Sequence, residues 1–230
     1  LHAPSINYLR YVLLPTLCKM SVSAEIVVQK YGYYPKGMGE ALISVKPISL
    51  LKPVQFERFG NLESVNGLSV CTFLSDRQVA KRQAKSAMDV LAKNNYTSQI
   101  QVLNDQSNSH QKGSSITLWA KTDTDVLIGA DALGEFRKTS ESVGEEAAKK
   151  LLNELRTEST VDVFLADMLI PYMALAPGRS VFYTHCLSEH IEANIWLMET
   201  MLNSVFRIEK VNNLYRIEKI SDYNANHCLP

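Results

Sequence analysis

Between positions 67 and 156 the chain switches repeatedly between the two-residue period of a strand and the 3.6-residue period of a helix. That alternation narrows the fold more than any other feature. Residues 67–74 (Gly-Leu-Ser-Val-Cys-Thr-Phe-Leu) read as a strand. Residues 76–93 read as a helix rich in Ala, Lys and Arg, with Val79, Ala84, Met88 and Leu91 available for a core. Residues 97–103 are again strand-like, and the polar run 104–113 is a loop. Residues 115–121 are expected to pair with 126–130 across the turn Thr122-Asp123-Thr124-Asp125. A second helix covers 142–156, with Val143, Ala147, Leu151 and Leu152 or Leu155 facing inward. The resulting order, β-α-β-β-β-α over 48–157, describes a unit that can bury its own core by laying helices on one sheet. Pro47 and Pro53 mark a hinge ahead of it. Lys81, Arg82 and Lys85 are most simply a solvated helix face, and Asp123 and Asp125 turn residues rather than a metal pair.

The flanks carry their own signals. Leu9, Val12, Leu13, Leu17 and Met20 fall on one face of a helix over 6–20, which Pro15 should kink or shorten. Strands are expected at 25–30 and 41–45, around Tyr31-Gly32-Tyr33-Tyr34-Pro35-Lys36-Gly37-Met38-Gly39-Glu40. That loop has two readings: a hairpin turn with aromatic packing, or a glycine-opened loop that brings a lysine to a phosphate. Thr160 should cap a helix over 161–175, whose apolar face holds Phe164, Leu165, Met168, Leu169 and Tyr172, with Asp162 and Asp167 off it. A strand at 180–184 follows. The near-duplicates Phe206-Arg-Ile-Glu-Lys210 and Tyr215-Arg-Ile-Glu-Lys219 read as a hairpin turning at Asn212-Asn213.

Residues 188–202 form the most informative helix. Ser188 is a good N-cap, and Ile191, Ile195, Met198 and Leu202 make one buried face. His190 lies in the first turn, where unpaired N–H groups and the positive dipole end attract phosphate. The same field disfavours an imidazolium and leaves a neutral, nucleophilic ring. Capping or packing is the plainer duty for such a histidine.

Composition excludes several classes. Lys+Arg and Asp+Glu are equal at 24 each, so no global field points to nucleic acid or membrane. Cys18, Cys71, Cys186 and Cys228 are scattered without a C-x-x-C pair, which suits free thiols in a reducing compartment. No apolar run reaches membrane-spanning length and no signal-peptide pattern occurs, so a cytoplasmic location is expected. The start, Leu1-His2-Ala3-Pro4-Ser5, has no initiator Met and reads as cut at its front. Walker, dinucleotide-glycine and H-E-x-x-H motifs are absent. Gly178-Arg-Ser-Val-Phe182 lacks the second glycine of a nucleophile elbow. His185, Cys186 and His190 lack a fourth metal ligand at sensible spacing.

Four stretches, in order, resemble one family: Ala3-Pro4-Ser5-Ile6-Asn7-Tyr8, Gly32-Tyr33-Tyr34-Pro35-Lys36-Gly37-Met38-Gly39-Glu40, Phe164-Leu165-Ala166-Asp167-Met168, and Ser188-Glu189-His190 with Asn194-Ile195-Trp196. Together they are similar to RNA 3′-terminal phosphate cyclases, most of all archaeal ones. The resemblance implies a mixed α/β (α+β) fold. In it, a large domain of repeated β-α-β-α-β-β units (1–47 and 158–230) is interrupted by a smaller thioredoxin-like insert (48–157). About the first third of the family's length is expected to be missing ahead of Leu1.

The resemblance also implies ATP-dependent conversion of an RNA 3′-phosphate to a 2′,3′-cyclic phosphate, releasing AMP and diphosphate. His190 takes the place of the nucleophile that forms a histidyl-AMP intermediate. Phe164 matches an aromatic, commonly Tyr, that stacks on adenine, and Pro4 matches the residue over the other adenine face. Asp167 would accept a nucleotide hydrogen bond, and Met168 stands where Gln is common. Leu165 and Ala166 complete the matched nucleotide-binding segment. ATP, a divalent cation (Mg2+ or Mn2+) and RNA with a 3′-terminal phosphate are the implied ligands, with no membrane partner. The alternative is a catalytically inert relative acting as a scaffold in ribosome or RNA processing.

Overall fold

The computed structural model describes residues 3–220; Leu1, His2 and Cys228 lie outside the described residues. Ser5 caps α1 (Ile6–Tyr8) by accepting the Tyr8 N–H, and the helix continues through a π-helical turn, Leu9–Leu13, into α2 (Leu14–Lys19). Pro15 explains the π-turn. In a regular α-helix its ring would strike the carbonyl four residues back and its missing N–H would leave a gap. Widening the preceding turn, so that the Leu14 N–H reaches the Leu9 carbonyl, absorbs both defects. The helix is therefore not shortened at Pro15. Tyr8, Val12, Leu13, Leu17 and Met20 are buried along it.

β1 (Ser23–Lys30) and β2 (Glu40–Lys46) pair antiparallel as a two-stranded sheet. Their connection is clamped from across the molecule. Tyr33 donates its N–H to Gln111 Oε1 at 2.6 Å, and Gln111 Nε2 donates to the Tyr33 carbonyl at 2.6 Å. Asn108 Nδ2 donates to the Tyr31 carbonyl at 2.8 Å. A Cβ on Gly32 would lie 2.3 Å from the Gly39 nitrogen, so a side chain there would force the two ends of the loop apart. Tyr31 and Tyr33 pack inward, while Tyr34 and Lys36 are exposed at the tip.

The central unit comprises β3 (Leu62–Thr72), α3 (Val79–Lys93), β4 (Ser98–Asp105), β5 (Gly113–Thr122), β6 (Leu127–Leu133) and α4 (Ser140–Thr157). Its sheet runs β4-β3-β5-β6, with β3 and β4 parallel across the α3 crossover and the other pairs antiparallel. α3 starts later than its periodicity suggests, because Ser75–Arg77 form a 3-10 turn and Gln78 adopts a left-handed φ of 50°. Ala87 is fully buried in α3, whereas Met88, expected in the core, is half-buried. A Cβ on Gly144 would sit 2.1 Å from the Gln83 carbonyl oxygen, so α3 and α4 touch backbone to backbone and lie as one layer on the sheet.

The second sheet has the order β7-β9-β8, from β7 (Ser180–Thr184), β8 (Phe206–Val211) and β9 (Leu214–Lys219), with the β8–β9 turn at Asn212-Asn213. It is joined by the chain ahead of the central unit. Gln55 bridges Val181 in parallel, the Phe56 N–H donates to the Val181 carbonyl at 2.9 Å, and the Val181 N–H to the Val54 carbonyl at 2.8 Å. Packed against each other are α5 (Val163–Leu175) and α6 (Glu189–Leu202).

The cap of α5 is Asp162, not Thr160. Thr160 bonds β7 instead, giving its N–H to the Tyr183 carbonyl and accepting the Tyr183 N–H at 2.8 Å. Among the described residues no helix is long and apolar enough to cross a membrane, and Cys18, Cys71 and Cys186 are free thiols.

Candidate active site at two helix starts

α6 begins at a serine with two tasks. Ser188 Oγ accepts the Ile191 N–H at 3.1 Å, the ordinary N-cap bond, and donates to Asp167 Oδ1 of α5 at 2.5 Å. Ile191 and Ile195, buried one turn apart, hold the helix in the core. His190, on the outward side of the same first turn, is exposed.

A proline fixes how α5 meets α6. In an unbroken helix the amide of residue 171 would bond the Asp167 carbonyl, but Pro171 has no N–H to give. Asn194 Nδ2 donates to that carbonyl instead, at 3.0 Å. Asn194 lies one helical turn beyond His190. Asp167 is thus gripped twice, through its side chain by the cap and through its main chain by Asn194. Burial pushes the half-buried Asp167 carboxyl above its usual range, while the Ser188 hydroxyl and the nearby charge of His190 pull it back.

Phe164 sits one turn ahead of Asp167 on the same helix, half-buried, with its ring edge-on to Tyr8 at a centroid distance of 5.9 Å. Beneath it the start of α5 is sealed. Asp162, 1% exposed, accepts the Tyr8 hydroxyl at 2.6 Å and the Leu165 N–H at 3.0 Å on Oδ1, and the Gly129 N–H at 2.8 Å on Oδ2. Burial lifts its pKa to about 6 against those three donors. Tyr8 is raised well above a free phenol, first by burial and then by the Asp162 charge. Gly129 admits the tyrosine: a Cβ there would lie 2.5 Å from the ring.

The remaining candidates spread out. Pro4, half-buried, leads into Ser5, whose N–H donates to Asp131 Oδ2 at 2.6 Å. Met168 packs half-buried at the margin of the core. Leu165 and Ala166 are buried at 1% and 0% exposure, so their side chains face the core rather than the open side that Phe164, Asp167 and His190 share. Tyr8, Asp162 and the bond from Asn194 were not assigned roles from sequence. A proline four residues after Asp167 was the one local hint of the third.

His185 belongs to a different pair. Its Nδ1 lies 3.4 Å from Glu154 Oε2, and neither atom makes a hydrogen bond among the described residues. Burial lifts the Glu154 carboxyl to about 8, with the Asp162 charge adding, and lowers His185. Burial thus drives both groups toward their neutral forms. No group of three metal-ligating side chains comes together among the described residues.

A profile of the family described as RNA 3′-terminal phosphate cyclase matches residues 1–208. Relatives named RNA 3′-terminal phosphate cyclase include those of Pyrobaculum aerophilum, 38% identical over 89% of this chain and 58% of the relative, and Pyrobaculum neutrophilum, 37% identical over 90% and 59%. That of Thermococcus onnurineus is 38% identical over 90% of this chain and 59% of its own length. The chain therefore spans somewhat under three fifths of these relatives. With a profile match over nearly its whole length and relatives of this identity, the chain belongs to the RNA 3′-terminal phosphate cyclase family.

Proposed function

We propose that the protein to which this chain belongs uses ATP to convert an RNA 3′-phosphate to a 2′,3′-cyclic phosphate, with His190 as the covalent nucleophile. The observation that carries the proposal is the 2.5 Å bond from Ser188 to Asp167, which pins an exposed histidine at a helix start beside the α5 face bearing Phe164. A ring nitrogen of His190 attacks the α-phosphorus, the N–P bond forms, and the bond to the β-phosphate oxygen breaks to release diphosphate. The adenylyl group moves to the RNA 3′-phosphate, freeing His190. The neighbouring 2′-hydroxyl then closes the cyclic phosphate and AMP leaves. The helix N–H groups hold phosphate oxygens, Phe164 stacks on adenine with Pro4 opposite, and Asp167 accepts a nucleotide hydrogen bond.

The nucleotide fits these residues: a half-buried aromatic, a carboxylate and a capped helix start share one side. A divalent cation has no preformed cluster among the described residues, and no step is derived through one. Glu189 and Glu192 in the first turn of α6 oppose a polyphosphate, so neutralising charge has to come from outside that turn.

The division into a large domain (1–47 and 158–230) and a thioredoxin-like insert (48–157) belongs to the same proposal. The bridge at Gln55, followed by α5, β7, α6, β8 and β9, supports one β-α-β-α-β-β unit opened after its first strand, and since residues 54–56 pair with β7 it favours an insert that begins after Phe56 rather than at 48. The sheet order β4-β3-β5-β6 with one parallel pair supports the insert. A cytoplasmic location agrees with free thiols.

Labelling the full-length protein with ATP carrying a radioactive α-phosphate tests the chemistry. Acid-labile, base-stable label is expected on His190 and is lost in His190→Ala. Full labelling of that variant rules out the nucleophile. A wild type that never labels but binds pre-ribosomal particles is instead the inert scaffold.

A further inference from the structure

The four-stranded sheet has two faces, and only one is spent on helices. Ser69 and Ile116 face α3 and the core, so their strand neighbours face the other way. On that other face Leu68 and Val70 are covered by Tyr31 and its neighbours, but the next row is open. There Gln99 of β4, Asn66 of β3 and Trp119 of β5 stand in register across three strands, with Gln101 following Gln99 on the edge. Tyr11, from the π-turn of the first helix, stacks flat on Trp119 at 4.4 Å with planes 2° apart. The Arg10 guanidinium lies 5.2 Å from the Tyr11 centroid, exposed and without an ion pair among the described residues. Tyr11, Trp119, Asn66, Gln99 and Gln101, with Gly67 and Ile100, line an open niche of about 300 Å³.

We propose that this niche is an RNA-base subsite, where a base of single-stranded RNA lies against the Tyr11–Trp119 stack with its edge on the amides and its phosphate near Arg10. Three features select this ligand. Tyr11 and Trp119 give the niche an aromatic wall, which suits any base. Carboxamides carry both donor and acceptor and match base edges, and the side chains of Gln99 and Gln101 make no bond within the described residues. The exposed Arg10 guanidinium beside Tyr11, in no ion pair among the described residues, suits a phosphate. The niche volume is at the lower bound for small-ligand clefts, room for one base. Tyr11 is three residues along the same helix from the Tyr8 that touches Phe164.

The choice of RNA as ligand rests on the function proposed above, but the site is separate from His190. The test uses the full-length protein and a short single-stranded RNA carrying one 4-thiouridine and a 3′-phosphate. Photocrosslinks are expected on peptides containing Tyr11 or Trp119. Gln99→Ala/Gln101→Ala, on an exposed edge, should weaken binding about tenfold, as two lost hydrogen bonds would, without altering the circular dichroism. Arg10→Ala should reduce the salt dependence of binding. Unchanged affinity in the double variant, crosslinks confined to other regions, or no RNA binding by wild type overturns the proposal. The two readings fail separately. If the full-length protein never labels at His190 while the glutamine variants lose RNA, only the catalytic reading falls; labelling with no effect of the glutamines removes only the subsite.

Discussion

α5 and α6 both begin with a good N-cap, yet one start is closed and the other open. At α5 a carboxylate, Asp162, is buried and saturated by donors from three other residues. At α6 a neutral hydroxyl, Ser188, serves one backbone N–H and spends its proton on Asp167. The first cap places a charge where no water reaches and therefore needs every donor it has. The second leaves the positive helix end facing outward beside His190. The same local motif thus serves as a rivet in one place and stays open in the other, and the surroundings decide which.

Four measurements would break or sharpen this contrast. Asp162→Ala should be the most damaging, costing about 3–5 kcal/mol in urea unfolding because Tyr8 and Gly129 keep buried donors with no acceptor. A cost below about 1 kcal/mol would mean that the closed start is no rivet. Ser188→Ala should cost about 1–2 kcal/mol, a lost cap plus the bond to Asp167, and should slow any labelling at His190.

Next comes pH. Glu154 is lifted to about 8, so the folded state holds a proton that the unfolded chain, near the ordinary glutamate value, has lost. The stability it contributes is present at low pH and is lost as pH rises toward 8. Between pH 7 and 8, where His185 is neutral folded and unfolded, wild type should lose up to about 1 kcal/mol, and Glu154→Gln should flatten that slope. An equal slope in both proteins refutes the buried pair. Smallest of all, His190→Ala should shift stability by less than about 0.5 kcal/mol, as an exposed side chain does, while labelling is expected to disappear.

What was readable in the chain was local. The Ser188 cap, the Ile191 and Ile195 stripe and the position of His190 follow from spacing within one helix. The strand-helix alternation of the central unit likewise identified its elements. Thr160 and Asp162 are both good caps by residue type, and the choice between them is made by Tyr8, 154 residues from Asp162, and Gly129, 33 away. Leu165 and Ala166 share a matched segment with Phe164 and Asp167, but a resemblance along the chain does not say which face of a helix a residue takes. Leu165, Leu169 and Met173 form one buried stripe at that spacing, and it points away from the open side. The row Gln99–Asn66–Trp119 depends on the register of a parallel strand pair, which only the assembled sheet determines.

The π-turn at Leu9–Leu13 has one more consequence. A regular helix advances about 100° per residue, so a turn with an extra residue sets everything before it out of phase with everything after it. That phase step lets one short helix aim Tyr8 at Asp162, Tyr11 at Trp119 and Leu17 at the core. Deleting a single residue within the turn would let it close as a regular α-turn, leaving α1 and α2 facing as they do but shifting the residues of the turn itself, Tyr11 among them. The candidate nucleotide face and the sheet niche are therefore timed against each other by the length of one helical turn.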